Sequence, residues 1–469
     1  MPIKYRTSAW AAAFCMLFGA AAAQEPEEAA REAAERELSA PAGGSVDSIV
    51  ESGAIPFEQV LAAPHDVKLN LAYARQQIDA GDLKEGASAL ERILLINPEL
   101  HDVRVLYGLV LYRLGLLDRA RFELEAALAS GNLSSTVRAE AEAYLKRIKY
   151  QQRTTRGSLT LTAGVEWDQN RNQSPSSGQV LFLDIPLPAQ PQVSDFAYVA
   201  SAQGRISHDL GSQAGHLLHG EAAYYRSDKL EFDSLDLDVA TTAIGGTWYL
   251  GRLSFTPRFR FGYYWLDGHD YLKTLGGDLD IVMRWRPEFK TYLNLRGDDE
   301  DFRNTPDYLS AAQRSGRRLS ARAGALWHVS PTQSINVEGL YMDKQGQASC
   351  ALTGPVSGCE TYDRYGASAR HTWLLGRGVF TIAGVWAEKS EYDGVDAFVS
   401  PTTIRNEWLY RGRFTIGAPL DFFAPNLPES VGDINLIAQY EYETVDSNLL
   451  NFDYHAHKAN FLISKRIAF

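Results

Sequence analysis

Residues 403–416 read TIRNEWLYRGRFTI. Ile404, Trp408, Tyr410, Phe414 and Ile416 fall on one side of a two-residue alternation, and Arg405, Glu407, Arg411 and Arg413 fall on the other. Successive side chains of a β-strand point to opposite faces, so this stretch reads as a strand with one oily face and one densely charged face. The pattern recurs. In GSLTLTAGVEWDQ (157–169), Leu159, Leu161, Ala163, Val165 and Trp167 oppose Ser158, Thr160, Thr162, Glu166 and Asp168. In LSFTPRFRFGYYW (253–265), Phe255, Phe259, Phe261, Tyr263 and Trp265 oppose Arg258, Arg260 and Tyr264. Similar runs lie near 195–207, 216–228, 236–249, 270–286, 288–299, 316–328, 334–344, 361–374, 377–391, 433–445 and 455–469, which makes fourteen in all.

A soluble sandwich also alternates, and it is the alternative reading, but it seldom carries so many long, charged strands. Many of these runs exceed the roughly 9–11 residues that cross a bilayer at a tilt. Connections at 211–215, 250–252, 286–288, 329–333 and 375–378 are short, whereas those at 170–194, 299–315, 345–360 and 392–402 are longer. Long and short connections on opposite rims, with Trp167, Trp248, Trp265, Trp285, Trp327 and Trp373 near strand ends, are the pattern of a transmembrane antiparallel β-barrel of about 14 strands. Lipid offers a free strand edge no hydrogen-bond partner, so the last strand is expected to pair with the first. That last strand ends NFLISKRIAF: Phe461, Ile463, Ile467 and Phe469 form the lipid-facing row, interrupted by Lys465, and Ser464 and Arg466 face inward. DFFAPNLPESVGD (421–433) is long yet falls on the short-turn rim.

The chain begins differently. Lys4 and Arg6 precede an apolar run ending Ala21-Ala22-Ala23, which reads as a secretory signal peptide (1–23) cut after Ala23. Residues 24–60 are acidic and Ala-rich, a leader or linker. Over 61–150 one fixed interval relates Tyr73 to Tyr107 and Gly81 to Gly115, and it is the spacing of tetratricopeptide (TPR) helical hairpins. Gly81 and Gly115 fall in turns, Pro98 ends a helix, and Gly108, Ala120 and Ala127 allow close helix contact. The fold class is therefore N-terminal helical hairpins followed by a membrane β-barrel over 157–469, with the helices expected in the periplasm of a Gram-negative bacterium and the barrel in its outer membrane.

Turning the polar rows inward lines the barrel with Arg258, Arg260, Arg284, Arg286, Arg318, Arg322, Arg364, Arg370, Arg405, Arg411 and Arg413, beside Asp278, Asp280, Glu407, Glu441 and Glu443. Two readings stand side by side: a passage whose arginines focus the field on a polypeptide or anion, and cross-strand ion pairs that hold a hydrated barrel together. Cys350 and Cys359 are expected to form a disulfide in a long loop. His455 and His457 share a strand face without a third ligand, so no metal, cofactor or catalytic residue is expected and the chain does not read as an enzyme. The formal charge of −12 argues against a nucleic-acid partner.

The repeat around Gly81–Pro98 and Gly108–Ala127, followed by strands from Gly157 to Phe469, resembles the surface lipoprotein assembly modulator (Slam) family. The terminal Phe469 resembles the signal that hands outer-membrane proteins to the barrel-assembly machinery. The resemblance implies translocation of specific lipoproteins or secreted proteins to the cell surface, with the helices capturing the client and with outer-membrane lipids and possible periplasmic chaperones as further partners. The alternative is a polysaccharide-export or small-solute porin whose helices dock a periplasmic complex.

Overall fold

A computed structural model describes residues 55–347, 360–424, 427, 428, 431 and 434–469. The expected signal peptide with its cleavage at Ala23, the leader up to residue 54 and the expected Cys350–Cys359 disulfide lie outside the described residues. Two compact units divide at Arg156 and Gly157.

The first unit is helical: α1 (Phe57–Ala62), α2 (Val67–Asp79), α3 (Leu83–Ile96), α4 (His101–Arg113), α5 (Leu117–Ala129) and α6 (Ser135–Gln151). Helix α1 begins inside the stretch read from sequence as leader. The starts of α2 and α4, and of α3 and α5, are separated by the same interval that separates Gly81 from Gly115, so the sequence period is the period of a helical hairpin. Each hairpin turns on a left-handed glycine, Gly81 at φ 86° and Gly115 at φ 77°, a conformation that costs a residue with a Cβ about 1–2 kcal/mol. Asp66 and Asp82 cap α2 and α3 by accepting from the Leu69 and Glu85 backbone N–H groups. Tyr73, Leu90, Ile93, Tyr107, Val110 and Leu124 form the buried core. At Gly108 a Cβ would sit 2.8 Å from Leu124 Cγ, which is why α4 and α5 need a residue without one there.

The second unit is a closed antiparallel barrel of fourteen strands. They are β1 (Thr155–Asp168), β4 (Asp195–Asp209), β5 (Leu217–Lys229), β6 (Leu237–Leu250), β7 (Leu253–Leu266), β8 (His269–Arg286), β9 (Phe289–Phe302), β10 (Gly316–Ser330), β11 (Gln333–Gly346), β12 (Tyr362–Gly376), β13 (Val379–Val395), β14 (Ile404–Pro419), β15 (Asn435–Ser447) and β16 (Tyr454–Ala468). A short hairpin, β2 (Gln179–Phe182) and β3 (Ile185–Pro188), stands apart within the connection from β1 to β4. Strand β16 closes the cylinder on β1 through an unbroken register from Ser158↔Ala468 to Asp168↔Lys458.

The alternation sorts the two faces as the sequence indicates. Every barrel strand leaves a large apolar side chain exposed on the outer row: Leu161, Phe196, Leu218, Ile244, Phe259, Leu275, Leu295, Leu319, Val337, Tyr365, Val385, Phe414, Tyr440 and Phe461. In TIRNEWLYRGRFTI the outer Phe414 is 49% exposed while the inner Arg411 is buried. A continuous apolar girdle of that extent is unstable in water and stable in lipid, so the barrel is a membrane-spanning one. Two connections depart from the expected rim rule. Residues 267 and 268 make a tight turn on the long-loop rim, and the connection after β14 is long on the short-turn rim, opening with a short helix, α7 (Leu420–Phe423).

Replacing Gly108 by Val is expected to destabilise the helical unit by about 1–3 kcal/mol. Limited proteolysis of the full chain should then cut within 101–129 at lower protease concentration while the barrel stays intact; unchanged cleavage would show that α4 and α5 do not depend on that close approach.

Candidate functional site in the barrel lumen

Register brings the inward charges together. Arg258 of β7 lies opposite Asp278 of β8, with Nε and Nη2 donating to Asp278 Oδ2 at 2.8 and 2.6 Å. Asp280 also accepts from Arg258, and Arg260 Nη1 reaches Asp278 Oδ1 at 3.3 Å. On the other wall Arg411 of β14 faces Glu443 of β15 and donates to it through Nε at 2.9 Å, and the Tyr454 hydroxyl donates to the same carboxylate at 2.9 Å. Arg413 pairs with Glu441 at 2.6 Å, and Arg405 with Glu407 at 2.6 Å. Arg322 is a looser partner of Glu338 at 3.7 Å, a carboxylate that also accepts from the Tyr292 hydroxyl at 3.0 Å.

Two arginines stand elsewhere. Arg284 and Arg286 are exposed at the short-turn rim, where β8 ends, and Arg284 lies 6.0 Å over the ring of Tyr249. A register shift between them takes Arg286 out of the simple alternation on which its inward assignment rested.

One network was not legible from alternation. Asp298 and Glu300 of β9 are joined by Arg296 (2.7 Å to Asp298), Arg318 (3.0 Å to each) and Lys344 (2.7 Å to Glu300), linking β9, β10 and β11. In sequence Asp298 sits near the end of the run read as a strand over 288–299 and Glu300 in the connection read over 299–315, and the register Arg318↔Asp298 places both on the inner row. Arg364 of β12, paired to Ser390 (2.9 Å) and Glu388 (3.4 Å) of β13, extends the belt.

The lumen has two unlike walls. From β4 to β12 the inner side chains at mid-height, among them Arg205, Glu221, Arg258, Arg260, Asp280, Asn294 and Arg370, are half-buried. Around β12–β16 and β4–β5 the inner row carries an apolar cluster of Val199, Leu374, Phe380, Ile382, Ile437 and Leu462. Phe380 is 1% exposed because it lies over Gly417 on β14, where a Cβ would come within 2.2 Å of its ring.

At the long-loop end, connections reach the inward row. Phe452 of the β15–β16 connection lies 3.5 Å beneath the guanidinium of Arg405, whose carbon is 4.6 Å from the ring centroid of Tyr392. Tyr308 and Ala311 of the β9–β10 connection pack on Leu237, Val239 and Leu266. Burial in the β11–β12 and β13–β14 connections pushes the carboxyls of Glu360 and Asp396 above the ordinary range. His455 and His457 lie on the outer row; His455 Nδ1 is 3.0 Å from Ser176 Oγ and His457 Nδ1 is 2.6 Å from the Tyr440 hydroxyl. A groove of about 550 Å³ indents the outer wall where Gly277 faces Gly297, bordered by Leu279, Leu295, Leu319 and Tyr341; it opens on the lipid side.

The arrangement is chemically a charged passage neutralised in place. Acids and bases sit in contact, so the mid-height wall offers exchangeable polar contacts without a large net field.

No protein-family model matches the chain, and no curated protein matches it. Among solved structures it is similar to OccAB3 of Acinetobacter baumannii (10% identity, TM-score 0.33, 67% of this chain and 99% of that one). It is also similar to the outer membrane protein OprD of Pseudomonas aeruginosa (8%, 0.34, 67% and 94%). A third is a loop L8 deletion mutant of OmpT, an outer membrane protein of Vibrio cholerae (8%, 0.33, 68% and 100%).

Truncating Arg411 to Ala removes that cation from Glu443, which is 0% exposed, and is expected to cost about 3–5 kcal/mol, read as a lower midpoint for heat unfolding in detergent. The double replacement Arg411→Met, Glu443→Leu should recover most of that loss. If the single variant unfolds at the parent midpoint, this ion pair does not hold the barrel wall.

Proposed function

We propose that this chain is an outer-membrane translocator that moves a specific lipoprotein or secreted protein to the cell surface, as the Slam resemblance implies. The helical hairpins, as a tetratricopeptide module, capture the client in the periplasm; the barrel, inserted by the barrel-assembly machinery among outer-membrane lipids, carries it across without nucleotide hydrolysis or bond-breaking chemistry. The observation that carries the reading is the lumen itself. Its mid-height wall is half-open and lined with exchangeable ion pairs, but its long-loop end holds buried contacts such as Phe452 beneath Arg405. A device that opens for one client needs a resting state that is shut, and contacts of that kind would hold it so. The repeated helical hairpin supports the capture step, because stacked hairpins of this type build extended peptide-binding surfaces.

Deleting the gene should remove one or a few proteins from the cell surface or the medium while their periplasmic pools rise, measured by comparing surface-shaved and periplasmic proteomes. Unchanged surface and secreted proteomes, together with large, steady, anion-selective conductance of the purified protein, would favour the porin whose helices dock a periplasmic complex.

A further inference from the structure

The connection from β1 to β4, residues 169–194, is the most unusual segment of the barrel. Its first part, QNRNQS (169–174), is wholly polar, yet Asn170, Arg171, Asn172, Gln173 and Ser174 are all buried, with Asn170 0% exposed. The segment does not merely cap its own strands. It reaches across the closing seam to β16, where the Gln169 backbone N–H donates to the His457 carbonyl at 2.9 Å and Asn170 Nδ2 donates to the His455 carbonyl at 3.0 Å. Its hairpin then docks on two other connections. The backbone N–H groups of Leu183 and Asp184 donate to the carbonyls of Phe398 and Val399, each at 3.0 Å, and Thr402 Oγ1 donates to Asp184 Oδ2 at 3.2 Å. Asn451 accepts from the Leu181 N–H at 2.6 Å and donates to the Leu181 carbonyl at 3.1 Å. Leu181 packs on Val399, Leu449 and Phe452, the residue beneath the inward Arg405.

This closed arrangement is held against two opposing costs. Of the five non-glycine residues with left-handed φ among the described residues, three are here: Gln173 (47°), Leu183 (54°) and Asp184 (64°). Leu183 and Asp184 form the two-residue turn between β2 and β3, where the hairpin itself requires positive φ, whereas Gln173 lies outside the hairpin and is held left-handed by the packing at the base of the segment. Four buried polar atoms at the base of the segment, Gln169 Oε1, Arg171 Nε and Nη2, and Gln173 Oε1, meet no hydrogen-bond partner among the described residues. Each would gain water if the segment lifted away. A segment that is strained and under-satisfied, yet tied by a few specific contacts to neighbouring loops, has the makings of a two-state element.

We propose that residues 169–194 are a clasp that shuts the long-loop end of the lumen in the resting state and releases from the 396–403 and 448–453 connections to open it. The inference rests on the reading of the lumen as the route. The latch is the Asp184–Thr402 and Leu181–Asn451 contacts together with the backbone bonds from Leu183, Asp184 and Ser176 to Phe398, Val399 and Asp453. Passage from the lumen requires their release, and the hydration gained by the unpartnered polar atoms at the base of the segment lowers its cost.

The test uses the full-length protein in planar bilayers, with Cys350→Ser and Cys359→Ser as background. In that background Asp184→Cys with Thr402→Cys allows a disulfide across the latch. Oxidation is expected to reduce opening frequency at least tenfold relative to the same channels after reduction. Asn451→Ala, which removes two hydrogen bonds of the latch, is expected to raise opening frequency about tenfold over the parent. Equal conductance in the oxidised and reduced states, with the disulfide verified by mass, overturns the clasp; so does an Asn451→Ala channel that opens no more often than the parent. The two readings fail separately. Loss of a surface client on gene deletion combined with redox-insensitive conductance retains export and rejects the clasp, whereas redox-gated conductance with unchanged surface proteomes retains the clasp and rejects export.

Discussion

A strand edge in hydrocarbon has nowhere to send its N–H and C=O groups, and that constraint organises the whole second unit. It requires β16 to return to β1, and the register from Ser158↔Ala468 to Asp168↔Lys458 leaves no gap in the seam. Closure in turn fixes where everything else can go. With an apolar girdle outside, the charged half of each alternating strand has only the lumen, and fourteen strands carrying arginines, aspartates and glutamates must accommodate them there. The acidic composition of the chain and its membrane-spanning fold are therefore compatible: the hydropathy average mixes two faces that never share a solvent.

Crowding charges into a cylinder makes their pairing obligatory. An isolated buried carboxylate is far more costly than a paired one, and Glu443, held by Arg411 and Tyr454, and Asp298, held by Arg296 and Arg318, are each given at least two donors. These contacts also specify register. A slip of one residue between β14 and β15 would place Arg411 and Arg413 opposite Tyr442 and Tyr440 and leave four charges unmatched. Glycine completes the fit on the apolar wall, where Gly417 leaves room for the Phe380 ring.

Much of this was legible in the sequence because two periodicities, the hairpin repeat and the strand alternation, are imposed by helix and strand geometry and survive any ignorance of tertiary contacts. The hairpin glycines Gly81 and Gly115, the fourteen runs, the long connection after β14 and the inward rows of β7, β8 and β14 could all be read that way. What escaped reading depends on register or on docking. Asp298 and Glu300 hide in an acidic run, Arg286 lies past a register shift, and α1 (Phe57–Ala62) is a single short helix whose apolar spacing, Phe57, Val60 and Leu61, is too brief to stand out from the leader before it. QNRNQS reads as solvated loop because composition reports average solvation, while its burial is a product of partners far away along the chain, such as His455 and His457.

The two ends of the cylinder differ in a way that bears on directionality. Short turns join most strands at one rim, and short turns have few alternative conformations. The other rim carries the connections that interlock, with buried polar atoms and left-handed residues concentrated in one of them. Conformational freedom is thus unequally divided along the axis of the lumen. The mid-height wall carries ion pairs between neighbouring strands, and the interlocking connections lie at the long-loop end. On the export reading proposed above, a one-sided closure of this kind would let the binding energy of a client, spent on displacing loop contacts, determine when the lumen is continuous.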